Sequence, residues 1–180
     1  SGAGKLTIDN VPQARQPQEL LLEATYADPN GEVQTIRSTQ TLWPAAVVAG
    51  IKTEGWVSAR QKMRFQALAL QHDGKAAPDT SLQVQAIARI TTTTRKRMVG
   101  GFYSYDNQTE TKDLGTLCSG KSDARGLLLC ESKLDEPGEV ELVATATDPV
   151  GNTSVAASSV WVTRQGELWF GGEDHDRIDL

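Results

Sequence analysis

The sequence predicts an all-β protein made of antiparallel β-sandwiches, and three observations carry that expectation. Apolar and polar residues alternate with a period of two along most runs, as where Val140, Leu142, Ala144 and Ala146 interleave with Glu141, Val143, Thr145 and Thr147. That is the pattern of a half-buried strand. Turn clusters separate the runs, Asp148-Pro-Val-Gly-Asn152 most clearly. There Asp caps through its side chain, Pro presets φ and Gly accepts positive φ. Helical spacing is nearly absent. The best window, Pro12 to Ala24, offers at most a short helical turn because Pro17 interrupts it.

In order along the chain, Lys5-Leu-Thr-Ile8 reads as a short first strand, stopped by Asp9, Asn10 and Pro12. Gln18 to Tyr26 and Glu32 to Leu42 follow as a pair, and Trp43-Pro44 closes them because Pro44 cannot donate to a ladder. Val47 to Lys52 opens a new unit, with Glu54-Gly-Trp-Val57 as a loop feeding a strand. Lys62 to Gln71 puts Met63, Phe65, Ala67 and Ala69 on one face. His72-Asp-Gly-Lys75 is a tight turn and Ala77-Pro78 a bend. Leu82 to Ile90 carries Leu82, Val84 and Ala86 on one face, with a phase shift expected near Ile87. Thr91 to Thr94 and Arg95-Lys-Arg97 prolong it. Gly100-Gly101 leads into Phe102-Tyr-Ser-Tyr105 and the polar Asp106 to Asp113. Leu114 to Cys118 and Leu127 to Glu131 read as a hairpin about a turn at Ser119 to Gly126. Glu136-Pro-Gly138 enters the last pair, which ends at Val162. Seven or so strands at these intervals is the count of an immunoglobulin-like sandwich.

The last hairpin has an echo. Asp28-Pro-Asn-Gly31 matches Asp148-Pro-Val-Gly151 at an offset of 120 residues, and Ala46-Val-Val-Ala-Gly50 resembles Glu167-Leu-Trp-Phe-Gly171 at 121. Two echoes at one spacing imply tandem modules. Residues 1–45 are then the C-terminal part of one sandwich and residues 46–165 a complete one. Residues 166–180 are a linker or first strand of the next, or else a strand completing the sandwich of 1–45. Trp169, Phe170 and Ile178 have no core of their own. The chain does not begin with Met, which is expected of a piece of a longer protein.

Bulk properties exclude several classes. A net charge of −5 and a pI near 5.1 argue against a general nucleic-acid binder. An apolar fraction of 38% suits a thin sandwich with much exposed surface. No run of about 18 apolar residues is present, so nothing here is expected to span a membrane. Ser1-Gly-Ala-Gly lacks the basic start and apolar core of a signal peptide, and with Lys5 it lacks the length and final Ser or Thr of a phosphate loop.

Few constellations point to chemistry. Cys118 and Cys130 are the only cysteines, twelve positions apart across the expected hairpin. They read as a disulfide suited to an exported β-domain, against two buried thiols. Neither has His partners at zinc spacing or a linked nucleophile motif. Glu173-Asp-His-Asp176 gathers potential metal ligands but lacks the spaced ladder of a calcium loop, and a solvated linker accounts for it. Arg95, Lys96 and Arg97 beside Phe102, Tyr103 and Tyr105 admit three readings: base stacking, a protease-sensitive segment, or a strand with its cations on the wet face. The third is preferred. No catalytic triad order, carboxylate pair or cofactor fingerprint stands out, so the expectation is a non-enzyme without cofactor or metal.

The succession Gly100-Gly-Phe-Tyr-Ser-Tyr105, Leu114-Gly-Thr-Leu-Cys118, Ser122-Asp-Ala-Arg-Gly126-Leu-Leu-Leu-Cys130, Gly138 to Asn152 and Val160-Trp-Val162 resembles a macroglobulin-like domain of bacterial α2-macroglobulins. The tail from Leu168-Trp-Phe-Gly-Gly to Leu180 resembles the lead into their next domain. The resemblance implies a periplasmic, lipid-anchored array of sandwiches that traps proteases after cleavage of a bait segment. It also implies a thioester motif, Cys-Leu-Glu-Gln, in many members. That motif is absent here, since Cys118 precedes Ser-Gly and Cys130 precedes Glu-Ser. On this resemblance the chain is monomeric scaffold, its partners are neighbouring domains of the same chain, and the full-length protein engages the target proteases. The competing expectation is an immunoglobulin-like adhesion repeat of a bacterial surface protein.

Overall fold

The computed structural model describes residues 4–164. Within them lie ten strands and no helix. They are β1 Gln18–Ala27, β2 Val33–Leu42, β3 Val48–Thr53, β4 Trp56–Ser58, β5 Lys62–Leu70, β6 Ser81–Arg97, β7 Tyr103–Lys121, β8 Leu127–Lys133, β9 Gly138–Thr147 and β10 Thr153–Thr163. Three sheets result: β1-β2, a five-stranded sheet in the order β4-β10-β9-β6-β7, and a three-stranded sheet in the order β3-β5-β8. All pairings are antiparallel except β4 with β10. The class is the expected all-β, immunoglobulin-like sandwich.

The core lies between the two larger sheets. Alternation puts Met63, Phe65, Ala67 and Ala69 of β5 inside, facing Leu82, Val84, Ala86 and Ala88 of β6 and Val140, Leu142, Ala144 and Ala146 of β9. Alanines interspersed among Leu, Met and Phe let the two sheets pack closely. Val160 and Val162 of β10, Leu134, and Val57 complete it.

One turn geometry recurs five times. In each, the first residue donates its N–H to the carbonyl of the fifth, and the fourth, a glycine at positive φ, donates back to the carbonyl of the first. The first residues are Asp28, Gln71, Met98, Asp123 and Asp148. The left-handed fourth residue explains the glycine at each site. Where the first residue is Asp, its Oδ1 also accepts the N–H groups of the third and fifth residues at 2.8–3.1 Å. Gly126 has a second constraint: a Cβ there would stand 2.3 Å from the Ala69 carbonyl oxygen.

Several expectations are corrected. Lys5 to Ile8 is not a strand and Pro12 to Ala24 holds no helical turn; residues 4–17 have no sheet to pair with. The segment Glu54 to Val57 is itself partly strand, since Trp56–Ser58 adds to β10. The phase of β6 does not slip at Ile87, because Ala88 is still buried; the irregularity falls on β7. Residues on either side of Cys118 and Cys130 do not form a hairpin: β7 pairs with β6 and β8 with β5. The segment 166–180, including Trp169, Phe170, Ile178 and Glu173 to Asp176, and the echo at Glu167 to Gly171, lie outside the described residues.

Candidate functional site

Three features set this sandwich apart from a plain one: a stapled open side, a tied junction, and a ribbon that leaves the body. The stapled side is where β7 and β8, edge strands of opposite sheets, run together. A disulfide joins Cys118 of β7 to Cys130 of β8, with their Cα atoms 6.0 Å apart. The ladder between β6 and β7 shifts register between Val84 and Gln85 and again between Ala86 and Ile87, leaving Leu117 and Leu114 as extra residues on β7. Each bulge re-aims the side chains beyond it. Thus Leu114, Leu117 and Cys118 all pack on the core despite spacings that a regular strand could not bring to one face. Gly115, at positive φ, lies in the second bulge and donates its N–H to Asp113 Oδ1 at 2.7 Å. A glycine interrupting a strand pattern was the sequence signal for this.

The junction is centred on Asp148, which is buried. Its Oδ1 caps its own turn, while Oδ2 accepts the N–H of Ala46 at 3.0 Å, across 102 positions of chain. That contact, then the Asn152 and Val150 N–H groups, hold the carboxyl below the usual carboxylate range against the opposing effect of burial. Asn152 Oδ1 also accepts from Gln13 Nε2 at 3.0 Å. Trp43 stacks on His72 with ring centroids 4.6 Å apart, and His72 Nε2 donates to the Ala45 carbonyl at 2.8 Å. The segment leading from the β1-β2 ribbon into the sandwich is therefore held at three points. The breaker Trp43-Pro44 marks this junction in the sequence, but the ties join residues too far apart for any local pattern to show.

The ribbon is the distal part of β6 and β7. Pairing of β6 with β9 stops at Arg89. Beyond it, Ile90–Arg97 and Tyr103–Glu110 pair only with each other and are exposed throughout. Its base is anchored by Arg89 Nη2 on Glu141 Oε2 at 2.8 Å and by Lys112 on Glu136. Its stem is polar: Thr91 and Thr109 hydroxyls lie 3.3 Å apart and Thr93 donates to Asn107 Oδ1 at 2.8 Å. Arg95, Lys96 and Arg97 lie in the ladder opposite Tyr105, Ser104 and Tyr103, and the Arg95 guanidinium sits 3.6 Å above the Tyr103 ring centroid. Phe102 is in the turn, not in a strand. Among the described residues, no group of three or more His, Cys, Asp or Glu is arranged to hold a metal ion. Nor, among the described residues, is any helix long and apolar enough to cross a membrane.

No protein-family model and no curated protein matches the sequence. Solved structures do match the fold just described, an immunoglobulin-like sandwich preceded by a β-ribbon. The native conformation of Escherichia coli alpha-2-macroglobulin aligns with a TM-score of 0.56 at 15% identity, over 81% of this chain. Salmonella alpha-2-macroglobulin reacted with methylamine aligns at 0.57 and 16% identity, over 84% of this chain. The chain covers 10% of the length of each. At such identities the likeness is one of fold: the chain has the fold of a segment of these bacterial macroglobulins. Strands β3 to β10 run from Val48 to Thr163, less than two thirds of the chain, so the matched share extends beyond the sandwich alone.

Proposed function

We propose that this chain is a non-enzymatic scaffold segment of a bacterial α2-macroglobulin-like protease trap. The observation that carries the proposal is the likeness in fold to two bacterial alpha-2-macroglobulins over more of the chain than one sandwich. The tied junction suits a scaffold role, because a segment fixed at Asp148 and His72 hands on the orientation of one module to the next. In this reading residues 1–45 are the end of a neighbouring sandwich. The β1-β2 ribbon has the face such a role needs: Leu20, Leu22, Ala24, Tyr26 and Ile36 share one side of it by register, and Leu22, Tyr26 and Ile36 are exposed. An isolated two-stranded ribbon is only marginally stable, so a covering sheet would stabilise it. The disulfide suits an oxidising compartment, and we place the full-length protein in the periplasm on a lipid anchor. The bait lies elsewhere in this reading, because Arg95 to Arg97 are locked in a ladder that a protease must first unpair.

The experiment uses the full-length protein that contains this segment. After incubation with trypsin, residual activity is read on a large protein substrate and on a small chromogenic one. Trapping predicts that activity on the large substrate is lost while activity on the small one persists. Equal activity on both overturns the proposal. Rapid cleavage confined to Arg95, Lys96 and Arg97 with trapping intact moves the bait into this segment.

A further inference from the structure

The end of the β6-β7 ribbon has an axial order of chemistry that the scaffold role does not use. At the extreme tip, Met98, Val99 and Phe102 are exposed, Val99 fully (105%) and Phe102 at 76%. Immediately behind them come two exposed tyrosines, Tyr103 and Tyr105, and the three cations Arg95, Lys96 and Arg97. Behind those come Thr94 with Asp106, and then the uncharged rungs of Thr91 to Thr93 facing Thr109, Gln108 and Asn107. By register Arg95 and Arg97 share a face with Tyr105 and Tyr103, while Asp106, the first acid back from the tip, is on the other face with Thr94 and Lys96. The tip is thus locally cationic in a chain of net charge −5. Eight paired residues of β6 beyond Arg89 carry it roughly 26 Å from the last rung shared with β9.

Apolar end, aromatic collar, cationic ring and polar stem is the order of a bilayer interface read from the acyl boundary outward. Apolar side chains bury beneath the headgroups, tyrosines sit at headgroup level, and arginine and lysine reach the phosphates. A flat protein partner would select one face of the ribbon, but the apolar groups here come from the turn itself. We propose that this tip is a shallow membrane-contact device that docks on an anionic phospholipid surface.

The test is co-sedimentation of the whole 180-residue chain with vesicles of phosphatidylcholine alone and of phosphatidylcholine mixed with phosphatidylglycerol. Binding to the anionic vesicles only, weakened by salt, is expected. Each of Arg95→Gln, Lys96→Gln and Arg97→Gln should lower the partition coefficient roughly fivefold. The pair Val99→Ser and Phe102→Ser should abolish most of the remainder with all charges kept. These positions lie outside the sandwich core, so an unchanged thermal melt separates lost docking from lost folding. Phe102→Trp should gain fluorescence quenched by brominated lipid, which reads insertion directly. Equal binding to neutral and anionic vesicles, or no binding to either, overturns the proposal. Retention on poly-glutamate beads that matches retention on vesicles and ignores Val99→Ser and Phe102→Ser also overturns it, in favour of an acidic protein partner.

Discussion

The β1-β2 and β9-β10 ribbons are the same object in two surroundings. At an offset of 120 residues their first strands have identical bounds, Gln18–Ala27 and Gly138–Thr147, and their second strands begin together at Val33 and Thr153. Both turn on Asp-Pro-x-Gly with the same two backbone bonds and the same two bonds to Asp Oδ1. Yet Val140, Leu142, Ala144 and Ala146 are fully buried, while none of their counterparts Leu20, Leu22, Ala24 and Tyr26 is. Turn chemistry and alternation make a ribbon. Only a second sheet makes a core, and burial is what converts pattern into stability.

The comparison predicts a graded set of effects. The largest separates the matched leucines. Leu142→Ala should cost about 2–5 kcal/mol in chemical denaturation by opening a cavity in a packed interior, and Leu22→Ala about 0.5 kcal/mol or less. A similar cost at both sites would show that β1-β2 is covered in solution. Next comes the staple, which the first ribbon lacks. Replacing Cys118 and Cys130 together with alanine should remove about 3 kcal/mol from the sandwich through the closed loop, read as a lowered denaturation midpoint with β1-β2 amide exchange unchanged.

The two turn aspartates come third. Asp148→Ala should lower the melting temperature more than Asp28→Ala, because Asp148 alone also holds the Ala46 N–H. Acid should show the same tie. A carboxyl held low in the folded state binds protons less readily than in the unfolded chain. Its contribution is complete above an unfolded value of about 4 and is lost as the pH falls through the lowered folded value. Asp148→Asn should therefore flatten the acid limb of melting temperature against pH. Asp123, held low by the Leu127 N–H and then that of Arg125, keeps part of that limb. The smallest contrast is between the turn glycines. Gly151→Ala should cost about 1 kcal/mol for a methyl at positive φ with open space around it. Gly31→Ala should leave the global transition in place.

Local features were legible in the sequence because their causes are local. The inward sets of β5 and β9, the turns at Asp28, Asp73-Gly74 and Asp148, and the cysteine pairing follow from period, turn chemistry and cysteine number. What could not be read depends on which sheet a strand joins. Leu114 to Cys118 and Leu127 to Glu131 look like a hairpin because the loop between them is short, but the chain uses that loop to cross from one sheet to the other. The paired bulges at Leu114 and Leu117 misaligned the apparent period of β7. The ties of Ala46, His72 and Gln13 join residues too far apart for any sequence window. At the ribbon tip the sequence shows the residue types, but their axial order exists only where β6 and β7 pair.

The recurring turn also sets a timetable for folding, because each copy closes with bonds among five consecutive residues. Such closures need little loop entropy and belong to the microsecond range of hairpin formation. Five of the chain's reversals can therefore form independently and early. Of the strand pairings, the one that must wait longest joins the residues farthest apart in sequence, the parallel rung of Trp56 to Ser58 against Trp161 to Thr163. It joins the first strands of the sandwich to the last, so the rate of complete folding is governed by long-range search, with the turns as ready-made starting points.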